Sequence, residues 1–169
     1  DSVKLIGNEA FGGCENLKEA NIPDYVSEIR ERSFQYCDLR SIHFSKSVVK
    51  ICSNAFWGCN YLREIDVDPA NPVYDSRENC NAVIETATGR LLFGSRNSII
   101  PSSVVEISDH AFSRCEYLWE ITIPSSVERI GNKAFNYCKG LNGIKIPDSV
   151  KEIESYAFNN CSSIKRIRI

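Results

Sequence analysis

The sequence is poor in the features that mark several large functional classes. Its formal net charge is only −2, so it has no strong basic field to hold nucleic acid or an anionic membrane surface. Its apolar runs are short, such as Leu91–Phe93, so we expect no membrane insertion. Two histidines leave little for a metal site or a histidine-driven active site, and eight cysteines in 169 residues fall below the density of a disulfide scaffold. The order of the residues is therefore more informative than their composition.

A repeat of 22 or 23 residues runs through the chain. Each copy carries a phenylalanine with a cysteine three residues later, and a valine and an isoleucine precede the phenylalanine at fixed distances. The phenylalanines are Phe11, Phe34, Phe56, Phe112, Phe135 and Phe158, and the cysteines are Cys14, Cys37, Cys59, Cys115, Cys138 and Cys161. The unit reads IPxSVxxIGxxAFxxCxxLxxIx and is clearest over residues 123–144. Columns that recur in six copies predict one structural unit per copy.

The length and pattern of the unit predict a solenoid, because helical hairpin repeats need more than about 30 residues. The alternation Leu-x-x-Ile-x-Ile predicts one short strand per coil, with Ile121 and Ile123 inward. The Ser-Val-x-x-Ile stretch predicts a second extended segment on the opposite wall. Gly7 and Gly131 share a column and suit a turn that needs φ > 0. We expect an all-β and loop solenoid in which each column stacks, the phenylalanines forming an aromatic spine.

One segment departs from the repeat. We expect a single domain over residues 1–169, with regular repeats at 1–67 and 100–169 and an enlarged coil at 68–99. Ala82–Glu85 and Arg90–Phe93 predict a β-hairpin with Thr88–Gly89 at its turn. Two interpretations remain open here: the hairpin projects outward for recognition, or it covers the wall of its neighbours.

The repeat unit resembles the BspA-like, or Treponema-type, leucine-rich repeat of bacterial surface proteins. Residues 71–86 also resemble an island that recurs in such proteins from gut relatives of Bacteroides. The resemblance implies a right-handed leucine-rich-repeat coil stack, a secreted or cell-surface location, and a non-enzymatic role in adhesion or protein recognition. Some members are described as binding host matrix proteins, so the implied partner is a host or bacterial surface protein, such as one of the extracellular matrix. No catalytic residues and no cofactor accompany the family.

The six cysteines that share one column of the repeat, here called the cysteine ladder, could form disulfides or a metal site. Stacked cysteines would lie close enough to bond, but they share one buried column, and 23 residues is a stacking period and not a zinc-ligand spacing. We therefore favour free buried thiols. Oxygen-bearing side chains near the enlarged coil match no calcium loop of defined geometry. His43 and His110 occupy variable columns and pair with no nucleophile motif. We predict no catalytic residue, no cofactor and no metal.

The variable columns are the better guide to function, since the fixed ones serve the core. We predict a binding patch made of aromatic and acidic side chains, Tyr61, Tyr117, Trp119, Glu64, Asp66 and Glu120. Packing between neighbouring coils is the competing interpretation of the aromatics. Net charge runs from −4 over residues 1–80 through −1 over 81–138 to +3 over 139–169.

Two alternatives to protein recognition remain. The exposed aromatics could serve a glycan-binding module, or the chain could be a targeting module appended to an enzyme domain. Neither end of the sequence carries a polar cap, which solenoids normally need. We therefore expect either an excerpt of a longer repeat array or end-to-end self-association through the uncapped ends.

Overall fold

The computed structural model describes residues 2–169, which form about seven stacked coils with almost no helix. Each coil crosses two opposite walls in extended conformation and turns between them. In chain order the strands are β1 (Leu5–Ile6), β2 (Glu19–Ile22), β3 (Glu28–Ile29), β4 (Ser41–Phe44), β5 (Lys50–Ile51), β6 (Glu64–Val67), β7 (Tyr74–Asp75), β8 (Ala82–Glu85), β9 (Arg90–Gly94), β10 (Glu106–Ile107), β11 (Arg129–Ile130), β12 (Ile144–Lys145), β13 (Glu152–Ile153) and β14 (Ile167–Arg168). A short 3-10 helix covers Arg77–Asn79. The predicted solenoid is confirmed.

The first wall carries the Leu-x-x-Ile-x-Ile segments. Strands β2, β4 and β6 form a parallel three-stranded sheet in register, and β12 pairs in parallel with β14. The expectation of one such strand in every coil is wrong at residues 119–123, which form no strand. Ile121 and Ile123 are nevertheless buried while Glu120 and Thr122 are exposed, as the alternation predicts.

The second wall absorbs the hairpin. Strands β8 and β9 form the predicted antiparallel hairpin, and β9 pairs in parallel with β10, so that one sheet runs in the order β13-β11-β10-β9-β8-β7. Val83, Ile84 and Leu91 have no exposed surface. Leu91 lies beside Ile107 and takes the place of the repeat isoleucine. The hairpin is therefore hydrogen-bonded into the second wall itself, so the expectation that it projects outward is wrong, and it extends the wall where the alternative had it cover the neighbouring coils.

The phenylalanines stack as predicted. Ring centroids lie 5.1 Å apart for Phe11 and Phe34 and 5.2 Å for Phe34 and Phe56. The hairpin adds Phe93 to this row, 4.7 Å from Phe56, which the repeat columns did not foretell. A second row joins Phe112, Phe135 and Phe158 at 5.0 and 5.1 Å. The two rows are separate stacks, and Gly94 lies against the ring of Phe112, where any Cβ would collide with it.

Left-handed backbone marks the turns beside the spine. The residues two positions before and two positions after most spine phenylalanines have positive φ, among them Lys133 (54°) and Tyr137 (60°). Between these two residues, the backbone N–H of the spine phenylalanine points along the solenoid axis, so that Phe135 N donates to Ala157 O at 2.8 Å. The expectation of positive φ at Gly7 and Gly131 is wrong. Gly131 is instead required by close approach, since a Cβ there would lie 2.6 Å from Asp109 N.

The cysteine ladder is a set of thiol donors to the neighbouring coil. Cys37, Cys59, Cys138 and Cys161 each donate to the carbonyl of a spine phenylalanine in the preceding coil, at 3.0 to 3.1 Å. All eight cysteines of the chain are free thiols in the structure, five of them buried. Burial raises the pKa of Cys115 to about 12. The buried ladder residues Cys37, Cys59, Cys115 and Cys138 therefore act as small core side chains and not as nucleophiles. The expectation that the whole ladder is buried is wrong at Cys14, which is exposed, and at Cys161, which is half-buried.

The spine makes a direct prediction for stability. Phe135 has no exposed surface and is sandwiched between Phe112 and Phe158. Phe135→Ala should lower the free energy of unfolding by about 3–5 kcal/mol, because it empties a central rung of the stack. Lys151→Ala on the exposed surface should change it by less than about 0.5 kcal/mol. Urea unfolding of both variants measures the difference, and equal costs would contradict the assignment of columns.

Thiol reactivity tests the cysteine ladder. In native protein, Ellman's reagent should label Cys14 at once, because that side chain alone among the cysteines is exposed. Cys52 and Cys161, which are half-buried, should react slowly, and the five buried cysteines should react only after denaturant is added. A Cys14→Ser variant should lose the fast phase. Rapid labelling of most thiols in that variant would show that the ladder is not buried.

Candidate binding surface

The outward face of the first wall is built by the variable columns. Pairing of β2, β4 and β6 in register sets Glu19 beside Ser41 and then Glu64, and Asn21 beside His43 and then Asp66. The alternate positions of the same strands, such as Ile42 and Ile65, are buried. Because the pleat has period 2, each coil presents its own pair of polar side chains on one shared face.

An acidic cleft of about 390 Å³ lies at the N-terminal end of this face. Its polar lining residues are Glu19, Asn21, Ser41, His43, Glu64 and Asp66. His43 Nδ1 lies 2.7 Å from Asp66 Oδ2, so the one cationic candidate in the cleft is paired with a carboxylate. The cleft therefore offers an excess of acceptors to a partner that brings donors or positive charge.

A basic cleft of about 480 Å³ lies toward the C-terminal end. It is lined by Trp119, Glu120, Asn142, Gly143, Lys165 and Arg166. Trp119 is 65% exposed, which makes it the most exposed aromatic side chain of the described residues 2–169. A partly overlapping cleft continues past Glu120 and Gly143 toward Lys145.

The enlarged coil separates the two clefts. Ser76 Oγ donates to Ile65 O at 3.0 Å, and Ser95 Oγ donates to Arg63 O at 3.2 Å. These loop hydroxyls thus provide hydrogen bonds to backbone carbonyls at the edge of the first wall, to which a further strand would otherwise donate. On the turn that leads into this wall, by contrast, the coil before the enlarged coil directly touches the coil after it. There Glu116 N donates to Asn60 Oδ1 at 3.3 Å.

Tyr61 and Tyr117 meet across this direct contact. Their ring centroids are 5.6 Å apart, and the guanidinium of Arg96 lies 6.0 Å from the ring of Tyr117. A hydrogen bond with Tyr117 raises the pKa of Tyr61. Each ring is about two-fifths exposed, so the pair packs between coils and still presents aromatic surface to solvent.

The structure distributes the six predicted patch residues over three places. Tyr61 and Tyr117 form the pair between coils, whereas Trp119 and Glu120 line the basic cleft. Glu64 and Asp66 line the acidic cleft beyond the enlarged coil. Their joint role as one binding patch stays a prediction.

One functional candidate that the sequence did not predict is an arginine whose guanidinium lies close to aromatic rings from three coils. The guanidinium of Arg114 lies 4.7 Å from the ring centroid of Tyr137, 4.9 Å from that of Trp57 and 5.6 Å from that of Tyr36. Trp57 Nε1 also donates to Ser113 Oγ at 3.1 Å. The available signal was that Tyr36, Arg114 and Tyr137 share the second column after the spine phenylalanine. This cluster ties coils together on the turn side.

Asp75 and Asn71, two of the remaining polar candidates, are engaged in local structure. Burial alone would raise the pKa of Asp75, but hydrogen bonds from Arg77 and Thr86 outweigh it and lower the pKa. Asn71 Nδ2 donates to Ser45 O and Val48 O at 2.9 Å and so anchors the start of the enlarged coil. His110 is half-buried, and burial lowers its pKa.

Comparison with known proteins identifies the repeat. A family model described as the BspA type leucine rich repeat region matches residues 1–82 and 94–169 in six copies. The chain belongs to the BspA-type leucine-rich repeat family. The unmatched residues 83–93 fall within the hairpin of the enlarged coil. Leucine-rich repeat proteins of this bacterial surface type are protein-interaction modules and are generally non-enzymatic.

Solved structures of bacterial relatives share the architecture. A leucine-rich repeat protein from Eubacterium ventriosum is 26% identical with a TM-score of 0.82, over 98% of this chain and 51% of that protein. A leucine rich cell surface protein from Faecalibacterium prausnitzii is 27% identical with a TM-score of 0.74, over 99% and 51%. A leucine-rich repeat protein from Bacteroides ovatus is 30% identical with a TM-score of 0.63, over 99% and 41%.

The chain thus spans about half the length of the first two of these proteins and less of the third. No curated protein matches it. Across residues 2–169, no helix has both the length and the apolar character needed to cross a membrane.

The two tryptophans provide a test of the surface. Trp119 is largely exposed, whereas Trp57 is half-buried beneath Arg114. The Trp57→Phe variant should therefore emit at longer wavelength and be quenched more strongly by acrylamide than the Trp119→Phe variant. Indistinguishable quenching in the two single-tryptophan proteins would contradict the placement of Trp119 in an open cleft.

Proposed function

We propose that this BspA-type chain is a protein-recognition module of a bacterial cell-surface or secreted protein, and that it serves adhesion to a host or bacterial surface protein. The observation that carries the proposal is the division of labour within each repeat. The side chains of the recurring columns form the core, while those of the columns that differ from coil to coil are exposed on one wall. A rigid face whose side chains vary independently of the core is suited to recognition.

Three further observations support this proposal. The face combines clefts of opposite charge, and electrostatic complementarity favours specific partners and orientations. Trp119 presents a large exposed aromatic surface of the kind that is enriched at binding hot spots. One structural relative, 27% identical, is a leucine rich cell surface protein, which supports the proposed location.

Adhesion can be tested with immobilised, purified extracellular-matrix proteins and biolayer interferometry. If a panel member binds, Trp119→Ala should weaken binding by about tenfold or more, because loss of a central aromatic commonly costs that much. Tyr25→Ala is the matched control, since Tyr25 is 55% exposed and lies outside both clefts. Equal losses in both variants would contradict the proposed surface, and a panel without any binder would count against matrix adhesion.

A further inference from the structure

The basic cleft is built from two rows of side chains that follow the solenoid axis. Asn142 N donates to Trp119 O at 3.3 Å and Lys165 N donates to Asn142 O at 3.1 Å, so these three residues lie one per coil. The adjacent row holds Glu120, Gly143 and Arg166. With about 4.8 Å between coils, Trp119 and Lys165 lie about 10 Å apart, with Asn142 and Gly143 between them.

Gly143 keeps the floor of this cleft open. The equivalent positions in other coils hold Glu19, Ser41, Glu64, Glu120 and Arg166. Gly143 does not have a positive φ, and a Cβ there would meet only Arg166 O at 3.5 Å, an ordinary contact. The backbone therefore does not require glycine here, and its effect is to leave a gap between Trp119 on one side and Lys165 and Arg166 on the other.

The cations around the gap are free of partners. Among residues 2–169, no carboxylate forms a salt bridge with Lys145, Lys165, Arg166 or Arg168. On the second wall, by contrast, Arg129 pairs with Glu106 at 2.6 Å and Lys151 pairs with Glu128 at 2.8 Å. The unpaired cations thus concentrate on the face that also carries the exposed tryptophan.

We propose that the basic cleft is a subsite for an anionic sugar, a glycan residue that bears a carboxylate or a sulfate. Its ring lies over Gly143 and stacks on Trp119, and its anionic group is held by Lys165 and Arg166. The negative face of an indole attracts the C–H face of a pyranose, and guanidinium groups bind carboxylates and sulfates through paired hydrogen bonds. Asn142 offers both a donor and an acceptor to ring hydroxyls, and Glu120 offers acceptors.

A sugar suits this cleft better than an acidic peptide. A glutamate or aspartate side chain has no ring face to cover Trp119, and its carboxylate would meet Glu120 as a like charge. An anionic sugar can place hydroxyls toward Glu120 and its charge toward Lys165 and Arg166. The proposal shares Trp119 and this cleft with the proposed adhesion to proteins but does not rest on it, because its probes are small sugars and its test variants are Gly143→Val and Arg166→Ser.

Isothermal titration at low ionic strength tests the subsite with four probes: hyaluronan tetrasaccharide, chondroitin sulfate tetrasaccharide, neutral cellotetraose and tetraglutamate. The first carries carboxylates alone and the second adds sulfate, so their relative affinities identify the preferred anion. At least one of them should bind about tenfold more tightly than cellotetraose and tetraglutamate, as expected for a charge-assisted contact combined with stacking.

Gly143→Val and Arg166→Ser should each weaken binding of that sugar by about tenfold, the first by filling the gap and the second by removing a cation. Lys151→Ala, an exposed cation on the other wall, should leave binding unchanged. Circular dichroism checks the fold, and Arg166→Ser alone is decisive if Gly143→Val does not fold. Failure of both anionic sugars to bind, equal affinity for cellotetraose or tetraglutamate, or full binding by folded variants would each overturn the proposal.

Discussion

Every other property of this chain depends on the register between coils. A coil of 22 or 23 residues cannot bury its own apolar side chains, and its backbone N–H groups need carbonyl partners in the next coil. Register satisfies both needs together, because the spine rings then stack, the thiols of the cysteine column reach the preceding phenylalanine carbonyls, and the turn N–H groups point along the axis. A shift by one residue would lose all three.

Much of this architecture could be predicted from the sequence, because a column that recurs at a fixed interval reports directly on stacking. The phenylalanine and cysteine columns and the buried isoleucines are of this kind, whereas the hairpin at 82–94 is indicated by its two short β-rich runs and the turn between them. What could not be predicted depends on contacts between segments far apart in the chain. Phe93 enters the spine only because the hairpin joins the second wall, and Gly131 is needed only because Asp109 of the preceding coil approaches it.

The candidate surface was predictable in part for the same reason. Outward positions follow from the pleat, so the exposure of Glu64 and Glu120 could be anticipated, whereas Trp119, directly before Glu120, is expected at the surface from its variable column. Their separation into clefts could not, since it depends on how the enlarged coil lies beside β6. The opposite charges of the two clefts then follow from the drift of charge along the chain, which the solenoid converts into a gradient along its length.

The enlarged coil contributes unequally to the sides of the stack. The second wall receives three strands from this coil, β7, β8 and β9, where a regular coil supplies one, while Trp57 still reaches Ser113 directly on the turn side. On the first wall the same coil supplies no strand, and Ser76 and Ser95 bond to the carbonyls of Ile65 and Arg63 instead. A ligand long enough to reach both clefts would therefore cross a stretch of loop, where the regular spacing of strand side chains is interrupted.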